Sequence, residues 1–454
     1  MPEFHLRTPL AHPPKVVWEW HQRRATFERL VPPWMPMVVG QWAPVAPGAR
    51  QSFRIRKGVR WSWTVRITKV EPGQSFTDVQ ETGPFGQWEH EHRILPDESG
   101  GCVLEDHIHY EFPLQGLGAS LVRGPIARDL ERAFSYRHAC CRRDLQRHAP
   151  VARHGPKRVA ITGASGLIGS ALTRFLESGG HQVYALVRRP VHHSQEIQWR
   201  PDAERIDAEA LEGMDAVVHL AGEPLAQFWT EDAKQRIRAS RIAGTRLLAE
   251  TLAKLKQPPS VLVSGSAIGI YGNRRDEVID EESALGQGFL ADVVAEWESA
   301  TEAARAAGIR VANLRTGIVL HPSGGFLGTL LLPYRLGMGG RIGDGNQYLS
   351  WIALDDLVGL IHHILFNPAL DGPVNGTAPD TVPQIEMART LARVLRRPTL
   401  LRIPAAEIRL LLREMGEETL LQGQRVYPER AAAAGFTFHH PDLEGTLRML
   451  LGRT

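Results

Sequence analysis

The residues best placed to do chemistry begin with three glycines, Gly163, Gly166 and Gly169, inside Thr162-Gly163-Ala164-Ser165-Gly166-Leu167-Ile168-Gly169. The apolar run Lys157-Arg158-Val159-Ala160-Ile161-Thr162 leads into them, and the helical pattern SALTRFLESGG follows. Glycines at this spacing, between a strand and a helix, let the backbone approach a pyrophosphate whose charge sits on the helix N-terminus. Gly169 allows the helix to pack closely on the strand. A second apolar run, Gln182 to Val187, ends in Arg188-Arg189. Readers of NAD place Asp or Glu there for the ribose 2′-hydroxyl, whereas a guanidinium pairs with a 2′-phosphate through two parallel hydrogen bonds. The cofactor predicted by these residues is NADP, read by Arg188.

Elements of one kind must hold this site. Asp215-Ala216-Val217-Val218-His219-Leu220-Ala221-Gly222, Val261 to Ser266 and Arg310 to Gly317 read as buried parallel strands, with helical stretches between them. That is a repeated βαβ pattern, a doubly wound α/β sheet. Ligands of such sheets sit beyond the carboxyl ends of the strands, where Leu220, Ala221, Ser266 and Thr316 to Ile318 fall.

The first 150 residues read differently. Seven of the 11 tryptophans lie there, ahead of the Pro/Gly-containing stretch 148–158 that marks a boundary. Trp61, Trp63, Val65 and Ile67 alternate with polar neighbours, as do Trp88, His90, His92 and Ile94, and again Leu104, Asp106, Ile108, Tyr110 and Phe112. This is the period of strands with one buried face. From Leu117 to Arg147, Ile126, Leu130, Phe134, Cys141 and Leu145 recur at helical spacing, with Arg128, Arg132, Arg142, Arg143 and Arg147 on the other faces. The arginines read as a solvated strip. His90 and His92 share one strand face and His107 and His109 another, but nothing in the sequence supplies the register and third ligand that a metal needs. No metal is predicted, and a polar cavity lining or hydrogen-bonded surface is.

Composition narrows the class. A chain of 454 residues calls for two or three domains, and a net charge of +3 gives no case for a nucleic-acid or membrane partner. Three cysteines form no disulfide framework or zinc spacing. With no apolar leader and no spanning run, a cytoplasmic setting is the expectation.

TGASGLIG, DAVVHLAG, SGSAIGIYG and LRTGIVL, in this order, resemble the extended short-chain dehydrogenase/reductase superfamily. GEPLAQFWTEDAKQRIRASRIAGT, LLPYRLGMGGRIGDGNQYLSWIALDDLV and VYPERAAAAGFTFHHPDLEGTLRMLL resemble its "epimerase family protein" group, some members of which are labelled cell-division-inhibitor-like. The resemblance spans residues 157–450. Ahead of it, FHLRTPL, PPKVVWEWH, GPFGQWEHEHRI and YRHACCRRDLQRH resemble the START-like helix-grip superfamily. The implied organisation is an α+β helix-grip ligand-binding domain over 1–150, a Rossmann domain over 157–396 and a small C-terminal domain over 397–454.

The resemblance implies NADP(H) binding by Gly163, Ser165, Gly166, Leu167, Ile168, Gly169, Arg188, Leu220 and Ala221. It adds Arg241, which reads equally as a helix-surface arginine, and Ile318 beside the nicotinamide. It also exposes a departure. Standard members use Tyr-x-x-x-Lys with an upstream Ser, the Lys lowering the Tyr pKa for proton transfer. The helix after SGSAIGIYG, from Gly286 to Trp297, contains neither Tyr nor Lys. Ser266 can fill the Ser position, and Tyr271 or His219 is the substitute acid-base candidate, against structural roles for both. Arg335, Arg341, Gln347, Trp351 and Asp355, in a glycine-rich stretch, read either as a substrate-side loop or as a turn-rich connector. The expected function is an NADP(H)-dependent oxidoreductase or epimerase-like enzyme on a small or nucleotide-linked substrate. The alternative is a non-catalytic NADP(H)-binding regulatory protein, and in either case residues 1–150 offer a cavity for an apolar ligand.

Overall fold

Two sheets organise the chain. Its structure, a computed structural model, describes residues 2–57, 59–111 and 117–453, and leaves the side chains of 55–61 and 117–123 undescribed. The first sheet holds β1 (Glu3–Leu10), β2 (Met37–Val39), β3 (Arg50–Lys57), β4 (Val59–Glu71), β5 (Ser75–Thr82), β6 (Gln87–Pro96) and β7 (Cys102–Glu111). Its order is β1-β7-β6-β5-β4-β3-β2 and every pairing is antiparallel.

The period-two reading describes its inner face well. Val65, Ile67, Trp88, His90, Ile94, Leu104, Asp106, Ile108 and Tyr110 are all buried. The Trp61 side chain and Phe112 lie outside the described residues. Against this face runs α3 (Leu117–His148), packing Leu130 and Phe134 on Trp88 and Ile108, and Cys141 and Leu145 on Ile94 and Leu104. Two short helices, α1 (Pro14–His21) and α2 (Arg24–Arg29), follow β1.

The second sheet is doubly wound. β8 (Arg158–Thr162), β9 (Gln182–Val187), β10 (Glu196–Arg200), β11 (Arg205–Ile206), β12 (Ala216–His219) and β13 (Val261–Ala267) are joined by the strands Arg310–Thr316 and Gly372–Gly376. The order is β11-β10-β9-β8-β12-β13 and then those two, parallel except for the edge pair β10–β11. Near-continuous burial of β8, β12 and β13 reflects apolar cover on both faces, as parallel sheets require. α4 (Leu167–Ser178), α5 (Glu231–Leu252) and α6 (Phe289–Ser299) are among the helices supplying it.

The two sheets are joined by more than a linker. α2 packs on α4, with Arg23 donating to the Ser178 carbonyl at 2.5 Å and the Arg29 guanidinium 5.2 Å above the Phe175 ring. Arg29 also donates to Asp144 of α3 at 2.5 Å and to Asp355 at 2.7 Å. The reading of the α3 arginines as a solvated strip needs correction at two positions. Arg128 and Arg142 are exposed, but Arg143 meets Asp355 at 3.4 Å and Arg147 meets Asp356 at 2.6 Å. Gly359, in the helix Leu354–Phe366, makes room for this contact, because a Cβ there would sit 1.7 Å from the Arg147 guanidinium.

The chain closes with the helices Gln384–Leu395, Ala405–Gly416 and Leu443–Leu451. The first and last join Leu327, Leu331 and Trp351 in one apolar cluster. No helix of the described residues is long and apolar enough to cross a membrane.

Candidate functional site

The glycine turn lies between β8 and α4, at the carboxyl edge of the parallel sheet. Gly163 adopts φ +70°, and a Cβ on it would meet the Leu220 carbonyl group at 3.0 Å. At Gly169 a Cβ would lie 2.2 Å from the Gly163 oxygen, so only glycine lets the first turn of α4 close on the strand. Gly166 stands at the N-cap of α4 without a capping side chain, and the first amides of that helix have no intrahelical partner. Ser165 and Gly166 are exposed, while Leu167 and Ile168 are partly buried. The result is a backbone cradle with open N–H groups, which fits the pyrophosphate of a dinucleotide.

Across the turn, Thr162 organises the end of β12. Its hydroxyl accepts from the amides of Leu220 at 3.0 Å and Ala221 at 3.1 Å, and donates to His219 Nδ1 at 2.7 Å. His219 is fully buried, and burial lowers its pKa to about 4. Its ring lies edge-on to Trp199, so it shapes the strand end and faces no open cleft. Arg241 of α5 is half-buried beside Gly222, with its guanidinium 5.3 Å over Trp297 and one arm donating to the Ile237 carbonyl at 3.1 Å. It is thus packed into the site wall, and burial lowers its pKa.

The arginine pair after β9 is divided. Arg189 donates to the Glu196 carboxylate at 2.9 Å and makes a second, shorter contact with it. Arg188 is exposed, and its guanidinium has no hydrogen bond or ion pair among the described residues. One arginine fixes the strand end while the other stands free.

Ser266 and Tyr271 occupy a buried network. Ser266 donates to Glu298 of α6 at 2.6 Å, and Arg315 holds both Glu298 oxygens at 2.9 Å. Another arm of Arg315 donates to the Tyr271 hydroxyl at 2.9 Å, and that hydroxyl donates to Asn375 at 2.8 Å. The backbone N–H of Asn375 donates to Glu281 at 2.8 Å, and its side-chain NH2 to the Tyr427 carbonyl at 3.0 Å. Burial raises the Tyr271 pKa in spite of the neighbouring arginine. Burial opposes the Arg315 charge, but the bond to Glu298 outweighs it and the pKa rises. Both hydroxyl protons are therefore committed to buried acceptors, which is the geometry of positioning groups rather than of free proton donors. Sequence reading missed Glu298, Arg315, Glu281 and Asn375.

Phe289 opens α6, a helix that contains neither Tyr nor Lys. Its ring lies 5.0 Å from Trp229 and 4.8 Å from the Lys234 ammonium, which pairs with Glu414 at 2.9 Å. Glu418 accepts from the amides of Phe289 at 3.0 Å and Leu290 at 2.9 Å, so the C-terminal segment supplies the cap that Gly288 lacks.

Residues 335–355 do not act as one loop. Gln347 is buried and donates to the Ile342 and Leu420 carbonyls; Trp351 is fully buried in register with Ile318. Asp355 belongs to the seam with Arg29 and Arg143. Arg335 is exposed and Arg341 half-buried in a short strand paired with Leu401–Ile403. Ile318 is half-buried, its amide donating to the Ser350 carbonyl at 2.8 Å.

Among the histidines, the ligand-type atoms of Asp78, His90 and His92 lie within 4.8 Å of one another, as do those of Glu3, His107 and His109 and those of His148, His181 and His362. In the first group every ring nitrogen already meets a carboxylate of Asp78 or Asp106, at 2.8–3.5 Å. Asp78, His90 and His92 face a cavity of about 430 Å³ between the first sheet and α3, walled by Phe53, Trp63, Phe76, Phe85, Trp88 and Phe134.

Comparison with known proteins agrees with both sheets. The NAD dependent epimerase/dehydratase family matches residues 159–375, a domain of unknown function matches 403–450, and the polyketide cyclase / dehydrase and lipid transport family matches 10–138. Epimerase family protein Mb2239 of Mycobacterium bovis is 43% identical over 283 residues, covering 62% of this chain and 93% of its own. A nucleoside-diphosphate sugar epimerase from Corynebacterium glutamicum is 32% identical with a TM-score of 0.81, over 99% of this chain and 90% of that one. Human epimerase family protein SDR39U1, solved with NADPH, is 32% identical with a TM-score of 0.60, over 65% of this chain and 100% of its own.

Proposed function

The chain belongs to the epimerase family, and from that premise we propose that it is an NADP(H)-dependent oxidoreductase or epimerase-like enzyme that works without a Tyr-x-x-x-Lys dyad. A dinucleotide, when bound, supplies or accepts a hydride at its nicotinamide. The chain's residues would hold it in this way: the turn Gly163 to Gly169, with Ser165, Gly166, Leu167 and Ile168, takes the pyrophosphate, Arg188 the 2′-phosphate, and Leu220, Ala221 and Arg241 the middle. Ile318 would lie toward the nicotinamide. The carrying observation is the free guanidinium of Arg188 beside an arginine already spent on Glu196. The relative solved with NADPH supports the same choice.

Domain limits of 1–150, 157–396 and 397–454 belong to this reading, with the first unit as a ligand module and the last closing over α6. The substrate is a small molecule, and the sugar-nucleotide relative favours a nucleotide-linked one. Calorimetry with NADPH and NADH tests the cofactor: NADPH held more tightly is expected, and equal affinity removes the assignment. NADPH oxidation across a panel of carbonyl compounds and sugar nucleotides tests the reaction.

A second reading is favoured by the committed protons of Ser266 and Tyr271 and by Phe289 at the head of α6. On it, the protein binds NADP(H) and an apolar ligand as a regulator and performs no chemistry. Repeated turnover with any substrate removes it.

A further inference from the structure

We propose that the cavity between the first sheet and α3 binds a planar, ring-containing carboxylic acid whose carboxylate pairs with Arg137. This rests on the reading of residues 1–150 as a ligand module and names the ligand's chemistry. The cavity's volume lies in the range of small-molecule sites, roughly 300–1,000 Å³. Its walls are flat rings set at steep angles to each other: Trp63 meets Trp88 at 88° and 5.0 Å, and Phe85 lies 4.8 Å from Trp88. Such walls take a planar guest by stacking and edge contacts better than a flexible chain, which would lose rotamer freedom on entry.

Charge is what singles out an acid. Asp106 accepts from His90 at 3.1 Å, His92 at 2.8 Å and His138 at 2.7 Å, and Asp78 meets His92 at 3.2 Å and His90 at 3.5 Å. Burial disfavours the charged His90, but Asp106 and Asp78 outweigh it and its pKa rises. Asp78, in the cavity wall, and Asp106 are thus both matched by histidines. Asp129, at the rim, is held by Arg132 at 2.6 Å. Arg137 is different. It lines the cavity, its guanidinium lies 4.9 Å over the Phe134 ring, and it has no hydrogen bond or ion pair among the described residues. Burial lowers its pKa, and the attraction of Asp106 and Asp78 at a distance does not restore it. A half-buried, unpaired guanidinium keeps its donors open, and a carboxylate matches its planar fork with two parallel hydrogen bonds. A neutral lipid would leave it unpaired.

The test uses the full chain and two probes of one shape, 2-naphthoate and the neutral 2-naphthamide, titrated by calorimetry. The expected result is naphthoate binding at least about tenfold tighter, a preference that Arg137→Met abolishes by weakening naphthoate alone and that Arg137→Lys partly restores. Equal affinity for the two probes, or a preference that survives Arg137→Met, overturns the proposal. Should Arg137→Met not fold, the comparison on the unaltered chain still decides. If neither probe binds at millimolar concentration, the ligand-module reading fails with it, whereas binding of both without preference leaves that reading standing and sinks only the acid.

Discussion

Arg147, in the last turn of α3, holds the carboxylate of Asp356 at 2.6 Å, although 209 positions separate them in the chain. Asp356 is fully buried and also accepts from the amides of His439 at 3.0 Å and His440 at 2.8 Å. Removing one partner leaves the other charge buried and unmatched, so Arg147→Met should cost about 3–5 kcal/mol of stability. Urea unfolding of the variant checks this, and a loss below about 1 kcal/mol would show that the seam is not well formed.

Replacing Arg188 by Ala should weaken NADPH binding by roughly 10- to 100-fold, the worth of a charge-assisted pair, and leave NADH binding nearly unchanged. Arg189→Ala should do less to either cofactor, because Arg189 is engaged with Glu196. Titration calorimetry of both variants with both nucleotides separates the two arginines.

Tyr271→Phe leaves a buried Asn375 acceptor and an Arg315 donor without their partner. A stability loss of about 1–3 kcal/mol follows, with NADPH affinity intact. Once a substrate is known, unchanged kcat in this variant would assign the hydroxyl to structure, and a collapse of kcat alone would assign it to catalysis.

Acid should destabilise the protein in a defined window. Burial holds His181 and His219 at about 4, against 6.5 in an unfolded chain. Between these values the unfolded state binds more protons than the native one, so stability rises with pH there and falls as pH drops from about 6.5 toward 4. The slope is on the order of 1.4 kcal/mol per pH unit for each such histidine. Urea midpoints at pH 7 and pH 5 should differ clearly in His219-containing protein and less in His219→Asn.

How much of this was legible depended on distance along the chain. The glycine turn and β9 with its terminal arginines are local patterns, and Gln182 to Val187 matches its observed strand residue for residue. The partners of Arg143 and Arg147 lie more than 200 positions away, so a helix with basic residues on one side could only be read as solvated. Ser266 and Tyr271 looked available for the same reason: Glu298 and Asn375, which claim their protons, carry no periodic signal. The division between Arg188 and Arg189 was equally invisible, since it turns on where the Glu196 side chain points.

α2 has two neighbours at once. Thr26 and Phe27, within it, and Leu30, just past its end, look into the aromatic chamber, while Arg23 and Arg29 lean on the far end and flank of α4, whose head carries the glycine turn. If both sites bind as proposed, a guest that resettled Phe27 would press on the nucleotide's support through a single six-residue rod. Thermodynamic reciprocity makes the bargain mutual: whatever factor the guest imposes on the nucleotide's hold, the nucleotide imposes on the guest's.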